Sequence, residues 1–215
     1  MKVLQLFSAV TMSLVTVACA TPPPISLAFG PQSNTALLVS ASPRTAMATT
    51  IELRRVNMET LQFEDEIVSV ENAGIGGNQI NRQSNIWLSL KEIDGGDYAL
   101  VSLATNTFTG YSSGQAWRCL YSGAPVFKLP SGQISIVQLG AYWGGSPTGL
   151  SARNDEESVL TQEFESARAR YPRIAGQAVV VAPHAIIRWE ERRGIRLTRN
   201  CSEPSSFEVL ARKHE

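Results

Sequence analysis

Few residues in this chain have the types and spacing for catalysis. A serine hydrolase needs a base beside its nucleophile, and the sequence holds 2 histidines. His214 sits next to the C-terminus. His184 follows Pro183 between two strand-like runs, so it reads as a turn or surface histidine. Gly145-Ser146-Pro147-Thr148-Gly149 superficially matches a nucleophile elbow. Pro147 would remove the backbone N–H that the elbow's oxyanion hole uses, so the segment reads as a turn. Asp94 with Asp97 and Glu190 with Glu191 are carboxylate pairs. Sequence neighbours on a strand face opposite ways, which makes them poor partners across a glycosidase cleft. Glu64-Asp65-Glu66 reads as a solvated strand face, because one strand cannot aim enough oxygens at a calcium ion. The glycines of ENAGIGGNQINRQSN lack the Lys-Ser/Thr ending of a phosphate loop. Arg188, Arg192, Arg193, Arg196 and Arg199 interleave with Glu190 and Glu191 and read as another solvated face. Trp117, Tyr121, Tyr142 and Trp143 would make a protein or glycan contact patch if exposed together, and core if buried. No catalytic residue, metal ligand or cofactor site is assigned.

Sulfur offers clearer chemistry. The chain opens MKVLQLFSAVTMSLVTVACATPPP, with Lys2 the one charge ahead of a short apolar run. That layout is a secretory leader, too short for a comfortable membrane span of about 20 residues. Ala18-x-Ala20 fits an ordinary cleavage site that would leave Thr21 first. Val17-Ala18-Cys19 resembles the end of a bacterial lipobox, although Thr16 stands where an aliphatic residue is usual. Lipidation of Cys19 is the favoured reading, with Pro22, Pro23 and Pro24 as the start of a tether. Acyl chains would hold the protein at a membrane. Ala20, rather than Asp, follows the Cys; resemblance to the sorting rule of bacterial lipoproteins implies the outer membrane, with the domain facing the periplasm. A soluble secreted protein is the alternative. In that oxidising compartment Cys119 and Cys201 are expected to pair as a disulfide, worth up to about 4.5 kcal/mol for so long a loop. Two buried thiols are the alternative.

Composition agrees with a folded, exported domain. Hydrophobic residues make up 43% and charged residues 18%, which excludes a disordered chain. Lys plus Arg (19) equals Asp plus Glu (19), so no basic excess supports nucleic-acid binding. Without its leader the chain is long enough for one domain with a real core.

The elements that must position these residues are mostly strands. Residues 19–46 read as a Pro-rich tether, with Ala36-Leu-Leu-Val39 as an edge strand at most. TTIELRRVNM and LQFEDEIVSV alternate apolar and polar residues and form a hairpin about Glu59-Thr60. A one-residue slip at Arg54-Arg55 predicts a bulge. IWLSLKE, the turn Asp94-Gly95-Gly96 and DYALVSLAT follow; the last is apolar on both faces and should be central. QAWRCLY, APVFKLP and QISIVQLGAYW continue the series. One helix is predicted, over about 155–171. It is capped by Asn154-x-x-Glu157, buries Leu160, Phe164, Ala167 and Tyr171, and stops at Pro172. GQAVVVAP and HAIIRWEERRGIRL read as strands, and 201–215 as a short helix or frayed tail.

Gly96, Tyr98, Phe127, Leu129, Gly132, Ile134 and Gly140 form a Gly-x-Tyr strand and a Phe-x-Leu-x-x-Gly-x-Ile stretch ending in Gly. With the helix after them, residues 96–189 resemble uncharacterised bacterial cell-envelope lipoproteins with a small β-sandwich. The resemblance implies a sandwich at the envelope and no particular reaction. The expectation is therefore a mainly β, antiparallel β-sandwich-like domain with one packed helix. Its parts would be a leader (1–18), tether (19–46), domain (47–200) and tail (201–215). The expected role is a lipid-anchored, non-catalytic binding or structural module. It would have an envelope protein as partner and no nucleic acid. A hydrolase of polysaccharide or peptidoglycan is the alternative.

Overall fold

The computed structural model describes residues 27–43, 49–72, 86–109, 112–138, 154–190 and 205–213. The fold is mainly β and sandwich-like: two sheets face each other and one helix covers the smaller sheet. The strands are β1 (Thr35–Pro43), β2 (Thr49–Asn57), β3 (Gln62–Asn72), β4 (Ile86–Asp94), β5 (Gly96–Thr109), β6 (Ser112–Cys119), β7 (Ala124–Leu129), β8 (Ile134–Val137), β9 (Ala178–Val180), β10 (Ala185–Arg188) and β11 (Glu208–Arg212). The helix, α1, spans Asn154–Arg168 between β8 and β9.

The small sheet runs β4-β1-β8-β9. Its β1 alternates faces: Ala36 and Leu38 enter the core shared with the large sheet, and Leu37, Val39 and Ala41 enter the core beneath α1. Burial on both sides explains why ALLV is uninterrupted. This strand is a correction to the tether and edge-strand reading, since β4 and β8 flank β1. The small sheet is also not wholly antiparallel. β8 lies parallel to both β1 and β9. Parallel neighbours cannot be joined by a tight turn, and α1 lies in the crossover from β8 to β9. Leu160, Phe164 and Ala167 bury as expected. The helix tightens at its end, where Tyr171 N–H bonds to the Arg168 carbonyl (2.7 Å).

The large sheet runs β11-β10-β7-β5-β2-β3, with β6 on the distal half of β5. The central place expected for β5 is observed: Tyr98 to Ala104 are all buried. The β2–β3 register shifts between Arg54 and Val56, the bulge read from Arg54-Arg55. The hairpin turn is held by the Asn57 side-chain oxygen, which accepts from the Glu59 and Thr60 N–H groups (3.0 Å each).

The sheet curls until its edges meet. Phe63 N–H donates to the Ser205 carbonyl and Phe207 N–H to the Leu61 carbonyl, both at 3.1 Å. Residues 205–207 thus close on β3 while β11 pairs with β10. Of the tail expected over 201–215, residues 205–212 instead close on or belong to the sheet, with Phe207 buried. The sequence pattern there is too short to announce a strand; pairing on both sides creates it.

Candidate functional site

The curl brings three distant aromatics together at one mouth of the sheet. Phe63 starts β3, Trp189 follows β10, and Phe207 precedes β11. Phe63 meets Trp189 edge-on at 5.4 Å between ring centroids and Phe207 at 5.2 Å. The Arg54 guanidinium lies 5.2 Å from the Phe63 centroid, and its Nε donates to the Glu64 carbonyl. Above this cluster is a groove of about 430 Å³, lined by Arg188, Trp189, Glu190, Ser205, Ser206, Phe207 and Glu208. Its rim carries an ion pair: Arg188 Nη2 and Nε lie 2.7 and 2.8 Å from Glu208 Oε2. Trp189 and Phe207 are buried beneath the groove as part of the core, so the surface it offers is mostly the charged and hydroxyl groups around it.

Of the four aromatics proposed as a patch, Tyr142 and Trp143 lie outside the described residues. Trp117 is placed by its backbone alone, opposite Ala104 on β6. Tyr121 is exposed in the turn before β7. Its carbonyl accepts from Trp189 N–H at 3.0 Å, so it stands beside the groove. Cys119 ends β6 opposite Ser102 and is partly buried. Cys19, Cys201, Ser146 and the later arginines of the basic run lie outside the described residues. Sequence reading passed over Trp189, Phe63 and Phe207 as a group. Phe63 and Trp189 sit in strand-like patterns and Phe207 in a stretch that reads as a short helix or tail, and nothing local says that their chain segments converge.

A second constellation was read differently from sequence. His184 stands in the bend before β10, partly exposed, and its Nε2 lies 2.9 Å from Asp97 Oδ1. Both atoms are buried, although the two side chains keep partial exposure; their contact lacks hydrogen-bond geometry, and among the described residues no other group bonds to either atom. The backbone explains the meeting. Asp97 opens β5 opposite Lys128 of β7, and His184 N–H bonds to the Val126 carbonyl of the same strand. The His184 carbonyl accepts from Lys213 N–H (2.8 Å), which ties the end of β11 to this point.

The acidic cluster serves a structural corner. Glu64 and Glu66 share one face of β3 and flank Arg55, at 3.2 and 3.4 Å. Arg55 Nη2 also donates to the Gly95 carbonyl at 3.1 Å, where the chain crosses from β4 in one sheet to β5 in the other. The buried Tyr98 hydroxyl lies 3.0 Å from both Glu66 Oε2 and the Asp94 carbonyl, so its proton is shared between two acceptors. Burial, then the Glu66 hydrogen bond and charge, push the Tyr98 phenol well above its usual range. Burial alone would lower the Arg55 guanidinium; Glu64, then Tyr98 and Glu66, outweigh it and raise it. Among the described residues no group of three or more His, Cys, Asp or Glu side chains could hold a metal ion.

Among the described residues, fold and groove together define a sandwich-like β domain with a helix over the small sheet and a groove at the mouth of the large one. No protein-family model, curated protein or solved structure matches the chain.

Proposed function

We propose that this protein is a lipid-anchored binding module of the bacterial cell envelope, held at the outer membrane by acylated Cys19 and facing the periplasm. Its binding site is the groove above Trp189 and Phe207, and its partner is an envelope protein. The observation that carries this reading is the groove itself: a polar, charged hollow of about 430 Å³ ringed by Arg188, Glu190, Glu208 and two serines, over the buried Trp189 and Phe207. Tyr121 extends the surface beside it. The Cys119–Cys201 disulfide belongs to the same proposal. Cys119 ends β6 opposite Ser102, where that bond would begin. The bond would staple the segment leading into the groove wall to β6.

Photocrosslinking from Tyr121 in intact cells tests the site. A discrete adduct that disappears in Glu190→Arg/Ser206→Trp supports the groove; an adduct pattern indifferent to both substitutions refutes it. Loss of fatty-acid label in Cys19→Ala tests the anchor separately. Non-reducing mass spectrometry that found free thiols at 119 and 201 would remove the staple.

The envelope hydrolase is the second reading, and the His184–Asp97 pair favours it. A carboxylate beside an imidazole is found in the base half of many hydrolytic sites. The test is turnover of peptidoglycan or polysaccharide fragments by purified protein, with abolition in His184→Gln at unchanged melting temperature. No turnover by the wild type sinks this reading.

A further inference from the structure

The described chain begins at Leu27, eight positions after Cys19. Eight residues reach at most about 28 Å, even fully extended. A domain of this size is roughly 40 Å across, so a chain tied at Cys19 could not turn its far side to the membrane. Where the chain joins the domain therefore selects the face that looks at the lipid.

That place is the end of α1. Leu27 and Phe29 pack into the core beneath the helix. Phe29 N–H donates to the Arg173 carbonyl (3.0 Å), and Ala175 N–H returns a bond to the Phe29 carbonyl (2.8 Å). Phe29 forms a parallel bridge with Ile174. Three arginines fall in the six residues leading to this junction. Arg168 is engaged with Glu165 and the Gly176 carbonyl. Arg170 and Arg173 are exposed. The large sheet, with its groove, lies on the other side of the small sheet from α1.

We infer that the turn that follows α1, carrying Arg170 and Arg173 beside Phe29, rests on the anionic headgroups of the membrane that holds Cys19. The inference depends on the Cys19 anchor proposed above. Cationic side chains are drawn to such a surface within a Debye length. The tether limits how far they can stray from the surface to about 28 Å at full extension. Their charge draws them the rest of the way, and the large sheet points away toward a partner.

The test uses the acylated full chain in vesicles of phosphatidylethanolamine with phosphatidylglycerol, against phosphatidylcholine alone. A benzophenone side chain replaces Ser166, exposed on α1, or Leu210, exposed on β11. Lipid adducts should form from position 166 at least about fivefold more than from position 210. Arg173→Glu should lower the position-166 adduct by about fivefold or more on the phosphatidylglycerol vesicles and leave it unchanged on phosphatidylcholine. Equal adducts from both positions, or an Arg173→Glu variant indistinguishable on the two vesicles, overturns the inference while leaving the anchor intact. Absence of fatty-acid label on Cys19 takes away the anchor, and this inference with it.

Discussion

Single residues at the sheet-to-sheet corners hold strained or crowded positions. Gly132 has φ +73°, and a Cβ there would lie 2.4 Å from the Pro31 carbonyl oxygen. Both facts demand glycine. Gly132→Ala should therefore cost more than about 1 kcal/mol, read as a lower urea midpoint at unchanged slope. Tyr98 makes a different test. Tyr98→Phe removes the hydroxyl between Glu66 and Asp94 and should cost about 1–1.5 kcal/mol at neutral pH. The phenol is raised in the fold, so the stability it contributes is complete below the unfolded tyrosine value of about 10. It is lost as pH climbs past that value toward the higher folded one, because the unfolded chain then holds fewer protons. Unfolding free energy measured from pH 9 upward should fall less steeply in Tyr98→Phe than in the parent.

At the level of elements, α1 was the most legible feature. Its 3.6-residue stripe and capping residues announce a helix and name the side chains it buries. Phe164 is fully buried beneath it. Phe164→Ala should cost about 3–5 kcal/mol by thermal melt and loosen hydrogen-exchange protection in the small sheet first. The β2–β3 hairpin was equally readable, down to the bulge, because alternation records which face is covered. β1 was misread because a strand buried on both faces shows no alternation, and Pro43 and the Pro-rich run before it suggest a linker. The parallel pairing of β8 with β1 and β9 had no local signal, since parallel and antiparallel strands share one side-chain period. Only the helical crossover hints at it.

Across the whole molecule, closure of the large sheet by residues 205–207 joins the C-terminal strand to the β2–β3 hairpin. Phe207→Ala should cost about 3–5 kcal/mol and raise acrylamide quenching of tryptophan fluorescence, because Trp189 loses its cover. A stable variant with unchanged quenching would mean that the curl is held elsewhere. The same closure builds the groove, so partner capture should weaken in parallel.

The sequence by itself determined the fold class, the helix and its buried stripe, the hairpin, the bulge and the central place of β5. Each is written in the spacing of apolar residues along a few consecutive positions. Tertiary structure alone decided that β1 and β11 are sheet strands, that His184 meets Asp97, and that Phe63, Trp189 and Phe207 share one mouth. Those contacts join residues far apart in the chain, where proximity depends on how the sheets curl and cross, and periodicity carries no record of that.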